Sequence, residues 1–123
     1  MHVKVKMNSA AVRRLSKAQI TALEQTAEAV KTDVITANVM PFDVGTMQNE
    51  STMIDASRSK RGHVTISTDT PYARKLYFHP EYHFNRDKNP HAQGRWYDPW
   101  ISGRKKGFAL KAFRVIYKRL TGV

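Results

Sequence analysis

Six apolar residues set the first constraint on the fold. Ile20, Leu23, Ala27, Val30, Val34 and Ala37 follow one another at spacings of 3, 4, 3, 4 and 3. Those spacings place all six on one stripe of an α-helix. Ser16-Lys17-Ala18-Gln19 opens that helix as a capping box, with Ser16 as N-cap and Gln19 reaching back to it. Pro41 closes it, because proline disfavours helical geometry in the residue before it. The expected helix is 16–38. Its stripe covers fewer than three heptads and includes two alanines, which fits packing on a sheet or bundle better than a coiled-coil seam.

Strand patterns flank this helix. Residues 2–7 alternate, with Val3, Val5 and Met7 on one face and His2, Lys4 and Lys6 on the other. Asn8 and Ser9 can then cap a helical turn through Leu15. A hairpin is expected over 51–68, with strands Ser51–Ser57 and His63–Thr68. Thr52, Ile54 and Ala56 share a face of the first strand, and Val64 and Ile66 a face of the second. Arg58-Ser59-Lys60-Arg61-Gly62 has turn composition, with Gly62 free to adopt positive φ. The tip reads either as a solvated turn that discourages edge aggregation or as a basic finger directed at nucleic acid.

Residues 69–98 read as a loop. Pro71, Pro80 and Pro90 break it, and Tyr72, Tyr77, Phe78, Tyr82, Phe84, Trp96 and Tyr97 crowd it, with Trp100 just beyond. A loop this long is usually functional or tied down. The aromatics point to tying down, in the core or at a subunit contact. Asp98-Pro99 begins a C-terminal helix, expected over 99–120. Phe108, Ala112, Val115, Ile116 and Leu120 are its apolar positions. Arg104, Lys105, Lys106, Lys111, Arg114, Lys118 and Arg119 make the remainder basic. The whole is one α+β domain, 1–123. A long N-terminal helix packs on a small, mainly antiparallel sheet with a β-hairpin, and a basic C-terminal helix follows.

Composition excludes several chemistries. The chain has no cysteine, which removes disulfides, thiolate zinc sites and thiol catalysis, and suits a reducing cytosol or a fold indifferent to redox state. No run approaches the roughly 18 apolar residues of a membrane span, and the N-terminus has no signal-peptide core. There is no nucleophile elbow and no phosphate-binding glycine loop. His79, Glu81, His83, Asp87 and His91 are plausible divalent-metal ligands by type. Pro80, however, interrupts any helix that could bring His79 and His83 to one face. No enzyme, cofactor or metal site is expected. A His-dependent metal nuclease using His79, His83 and His91 is the weakest of the functional alternatives.

Charge is the strongest compositional signal. Twenty-one Lys and Arg against ten Asp and Glu give +11. Residues 1–62 contribute +3 and residues 63–123 contribute +8. Such a surface attracts polyanions, so a basic nucleic-acid-binding module is the leading alternative function.

Two phrases add a resemblance. They are Pro41-Phe42-Asp43-Val44-Gly45-Thr46-Met47 and Thr70-Pro71-Tyr72-Ala73-Arg74-Lys75-Leu76-Tyr77-Phe78, the latter continuing His79-Pro80-Glu81-Tyr82, with later Asn89-Pro90 and Trp96. In order with the strand, long helix, hairpin, Tyr-Ala turn and basic C-terminal helix, they resemble a family of tailed-phage neck proteins. These are known as minor capsid, tail-completion or head–tail joining proteins, and the likeness is greatest to those of phages and prophages of Gram-positive bacteria. The family's usual junction has threonine before the glycine; here Val44 stands there and Thr46 follows.

The resemblance implies a structural virion protein without catalysis. It would form a homo-oligomeric ring, hexameric or dodecameric, joining the DNA-filled head to the tail. Its neighbours would be a stopper or adaptor on one side and a tail terminator or tail tube on the other. Genomic DNA would pass non-specifically through the lumen. The location would be the virion neck, with host cytoplasm during assembly. Arg58, Lys60 and Arg61, then Arg104, Lys105 and Lys106, are the DNA-channel candidates. Tyr72, Tyr77, Phe78, Tyr82, Phe84, Trp96 and Trp100 are the subunit-contact candidates.

Overall fold

The computed structural model describes residues 2–6, 16–37, 39, 52–68, 71–81, 91 and 93–122. Strand β1 (His2–Lys6) leads to helix α1 (Lys17–Thr36), then β2 (Thr52–Asp55), a 3-10 turn (Ser59–Arg61) and β3 (His63–Thr68). Helices α2 (Pro71–Tyr77), α3 (Asp98–Ile101) and α4 (Phe108–Thr121) complete the order. The fold is α+β. Helix α1 packs on α4 and on a three-stranded antiparallel sheet of order β1-β3-β2.

The alternation in β1 and β3 sets the sheet's two faces. Val3, Val5, Val64 and Ile66 are buried, whereas His2, Lys4 and Lys6 are exposed. The register aligns Val3 with Ile66 and Ile66 with Ile54 in one rung, and Val5 with Val64 in the next. Against this face α1 lays Leu23, Ala27, Val30 and Val34. Each fully buried valine or leucine stabilises the domain by about 1.5–3 kcal/mol.

The cap of α1 forms as the sequence requires. Gln19 N–H donates to Ser16 Oγ at 3.2 Å, and Ser16 N–H donates to Gln19 Oε1 at 2.8 Å. Thr26, outside the apolar stripe, is nevertheless buried. Its hydroxyl donates to the Ala22 carbonyl at 2.7 Å, so no polar atom is stranded.

Three expectations need correction. The segment 69–98 is not all loop, because Pro71–Tyr77 is helix and Tyr72-Ala73 lies inside it rather than in a turn. Proline needs no N–H donor at the first helical position, so Pro71 begins a helix where it reads as a breaker. The helix expected over 99–120 is two helices. Gly103 turns the chain back over Pro99 at a distance where a Cβ would come within 2.8 Å of Pro99 Cα. Gly103 N–H bonds the Asp98 carbonyl at 3.1 Å and Lys105 N–H the Pro99 carbonyl at 2.9 Å, neither an α-helical bond. Finally, of the apolar positions on α4, Val115 and Leu120 stay 57% and 42% exposed, while Phe108, Ala109 and Phe113 pack against the core. The helical turn through Leu15 and the Pro41–Met47 junction lie outside the described residues.

Candidate functional site

The hairpin tip is built from backbone outward. Ser57 N–H donates to Asp55 Oδ1 at 2.9 Å, starting the turn. Ser59 N–H then donates to the Ala56 carbonyl at 3.0 Å, and Arg61 and His63 N–H both reach the Arg58 carbonyl, at 2.9 and 3.2 Å. Gly62 completes the turn at φ 85°, in the left-handed region that disfavours residues with a Cβ. Ser59 is buried and the turn packs against α1. The tip is therefore a braced corner rather than a projecting finger. It holds the side chains of Arg58, Lys60 and Arg61 exposed. Hydrogen bonds from Ser57 hold the Asp55 carboxyl below the usual carboxylate range, and nearby Arg58 adds to the effect.

The second basic cluster does not act as three equal charges. Arg104 and Lys106 are exposed. Lys105 is engaged: its Nζ donates to Asp33 Oδ2 at 2.9 Å and lies 5.5 Å from the Trp100 ring centroid. The same Asp33 oxygen accepts Trp100 Nε1–H at 2.8 Å. Of the three channel candidates here, Lys105 spends its charge fastening the α3–α4 corner to α1. Asp33 carried no sequence signal of this role, since its partners stand 67 and 72 residues away.

The aromatic candidates divide in the same way. Trp96 is fully buried, Tyr77 is 4% exposed and Trp100 7%. Tyr77 and Trp96 meet edge to face at 4.8 Å, a favoured aromatic geometry. These three have their surface inside the domain, so they are corrected from subunit contacts to core. Phe78 remains 47% exposed, with the Arg95 guanidinium 5.5 Å from its ring centroid. The side chain of Tyr72, and Tyr82 and Phe84 altogether, lie outside the described residues.

Beneath the aromatics runs a buried polar chain. Thr52 and Thr68 hydroxyls lie 3.1 Å apart, and Thr68 Oγ1 lies 2.6 Å from Tyr97 Oη. Tyr77 Oη donates to Asp98 Oδ1 at 3.3 Å. Burial raises the pKa of both tyrosines, and for Tyr77 the Asp98 carboxylate raises it further. Trp96 Nε1 is buried without a hydrogen-bond partner among the described residues.

The histidine stretch forms a pair, not a metal-binding group, within what is described. His79 Nδ1 and Glu81 Oε1 lie 2.8 Å apart at the surface, and this hydrogen bond holds the Glu81 carboxyl below its ordinary value. His91 is exposed, and His83 and Asp87 lie outside the described residues. Among the described residues no three His, Asp or Glu side chains gather as metal ligands. None of the described helices is long and apolar enough to cross a membrane. Comparison with protein-family models, curated proteins and solved structures yields no match.

Proposed function

We propose that this chain is a structural neck protein of a tailed phage, one that acts by assembling into a ring around the DNA channel rather than by turnover. The observation that carries this reading is the braced basic corner at Arg58, Lys60 and Arg61. Its cations are exposed while its backbone is held by a closed set of hydrogen bonds. A channel wall calls for cationic or neutral surface that meets phosphates without gripping bases, because the genome must slide. The neck resemblance of the two sequence phrases supports the same reading. Arg104 and Lys106 are the second channel candidates, and Phe78 is the exposed aromatic among the described contact candidates. Ring copies would meet through heterologous contacts that close by rotation. Stopper or adaptor and tail proteins are the neighbours, and the virion neck is the location.

Cryo-electron microscopy of the parent virion tests this directly. The expected result is density for this chain in the neck, with Arg58, Lys60 and Arg61 turned to the lumen. A neck without this chain ends the reading.

A second reading, sequence-independent nucleic-acid binding, is favoured by α4. Lys111, Arg114 and Lys118 are all exposed at spacings of 3 and 4, a single cationic stripe. Binding of duplex DNA by the isolated chain at physiological salt would favour it. Log affinity would then fall with log salt by about 0.9 per phosphate neutralised.

A further inference from the structure

Strand β1 lies at one edge of the sheet, with β3 on one side and no strand on the other among the described residues. An edge strand directs N–H and C=O groups of alternate residues outward, where they can pair with another chain. Beside this edge runs a groove of about 700 Å³, closed on its far side by α3 and α4. Its walls include Ile101 and Leu110, which are 50% and 56% exposed, and the half-buried Phe113. Lys4, Lys6 and Lys106 also line it, and no carboxylate does.

We infer that this groove takes an extended acidic segment of a partner protein, added to β1 as a fourth strand. The alternation of β1 specifies the segment's pattern. Residues beside Val3 and Val5 lie on the core side of the sheet, toward Leu110 and Phe113, and are apolar. Residues beside Lys4 and Lys6 lie on the outer side and are acidic. Strand addition supplies affinity through main-chain hydrogen bonds, while the alternate side chains supply specificity. A second copy of this chain is disfavoured as the occupant of this groove, because the groove is lined by Lys4, Lys6 and Lys106 and by no carboxylate. A nucleic-acid backbone would use the lysines but leave Ile101 and Leu110 uncovered. The inference goes beyond the neck reading and stands or falls separately from it.

The test uses the full chain and a fluorescein-labelled peptide of about ten residues alternating valine and glutamate. The control peptide has the same composition with valines and glutamates in separate blocks. Anisotropy should show saturable binding of the alternating peptide, roughly tenfold or more tighter than the block peptide. Lys4→Glu/Lys6→Glu should weaken it by roughly tenfold or more, and Leu110→Glu comparably, with far-UV circular dichroism unchanged. Hydrogen exchange should slow at β1 amides when the alternating peptide binds. Equal binding of both peptides, unaltered affinity in Lys4→Glu/Lys6→Glu, or unprotected β1 amides overturns the inference. So does self-association that the alternating peptide blocks and Lys4→Glu/Lys6→Glu abolishes, because the groove would then belong to a second copy.

Discussion

Removing one carboxylate should loosen the corner that carries the second basic cluster. Asp33 sits in the last turns of α1, and its Oδ2 accepts both Trp100 Nε1–H at 2.8 Å and Lys105 Nζ at 2.9 Å. Asp33→Ala leaves the indole N–H of a 7% exposed tryptophan without its acceptor. A hydrogen bond to a charged acceptor contributes about 1.5–3 kcal/mol. The Lys105 pair adds less, about 0–1 kcal/mol, since the two side chains are 33% and 22% exposed and water screens them. Alanine returns roughly 0.5 kcal/mol through its higher helix propensity. The net expectation is a loss of about 1–3.5 kcal/mol, read from urea unfolding followed by far-UV circular dichroism. A double-mutant cycle with Trp100→Phe should give a coupling energy of about 1–2 kcal/mol, because each single change already breaks the same bond. Lys105→Met should cost under about 1 kcal/mol. A loss below about 0.5 kcal/mol for Asp33→Ala, or additive effects in the cycle, would refute the view that Asp33 fastens α3 to α1.

Other outcomes follow from single positions. Gly62→Ala should destabilise by about 1–2 kcal/mol, since φ 85° sets Cβ against the backbone; thermal denaturation would show it as a lowered Tm. Ser16→Ala removes one half of the capping box and should cost about 1 kcal/mol in the same assay. Alkaline titration has a fixed sign. Tyr77 and Tyr97 have raised pKa values in the folded state. Above the ordinary value of 10.0 the unfolded chain therefore releases protons that the native state keeps. Their contribution is fully present below that pH and is lost as pH rises beyond it. Tyr77→Phe should flatten the alkaline fall in stability, and an unchanged slope would count against burial of its hydroxyl.

Local rules carried much of the fold. The spacing from Ile20 to Ala37 and the Ser16–Gln19 reciprocity are contained in adjacent turns, so the long helix was legible to within a residue or two at each end. Alternation likewise exposed β1 and β3, and Gly62 marked the turn. Sequence rules mislead where one residue type serves opposite purposes. Pro71 reads as a breaker but opens α2. Gly103 and its turn over Pro99 split what periodicity presents as one helix. The basic clusters were visible as charge, but the pairing of Lys105 with Asp33 was not, because it joins elements distant in sequence. The aromatics showed only that something is packed. That Trp96 and Trp100 face inward and Phe78 outward depends on tertiary neighbours that no spacing rule encodes.

The central position of β3 has a kinetic consequence. Its pairing with β2 spans a short local turn, Asp55 standing opposite Thr65, so that closure is expected first. Its other partner lies far back, with Lys6 opposite His63 and His2 opposite Ser67. That longer closure costs about 1–2 kcal/mol more entropy than the hairpin's before any contact repays it. Strand β1 is therefore expected to dock after the β2–β3 hairpin has closed. Val3→Ala should accordingly leave the folding rate almost unchanged and speed unfolding, whereas Ile54→Ala should slow folding.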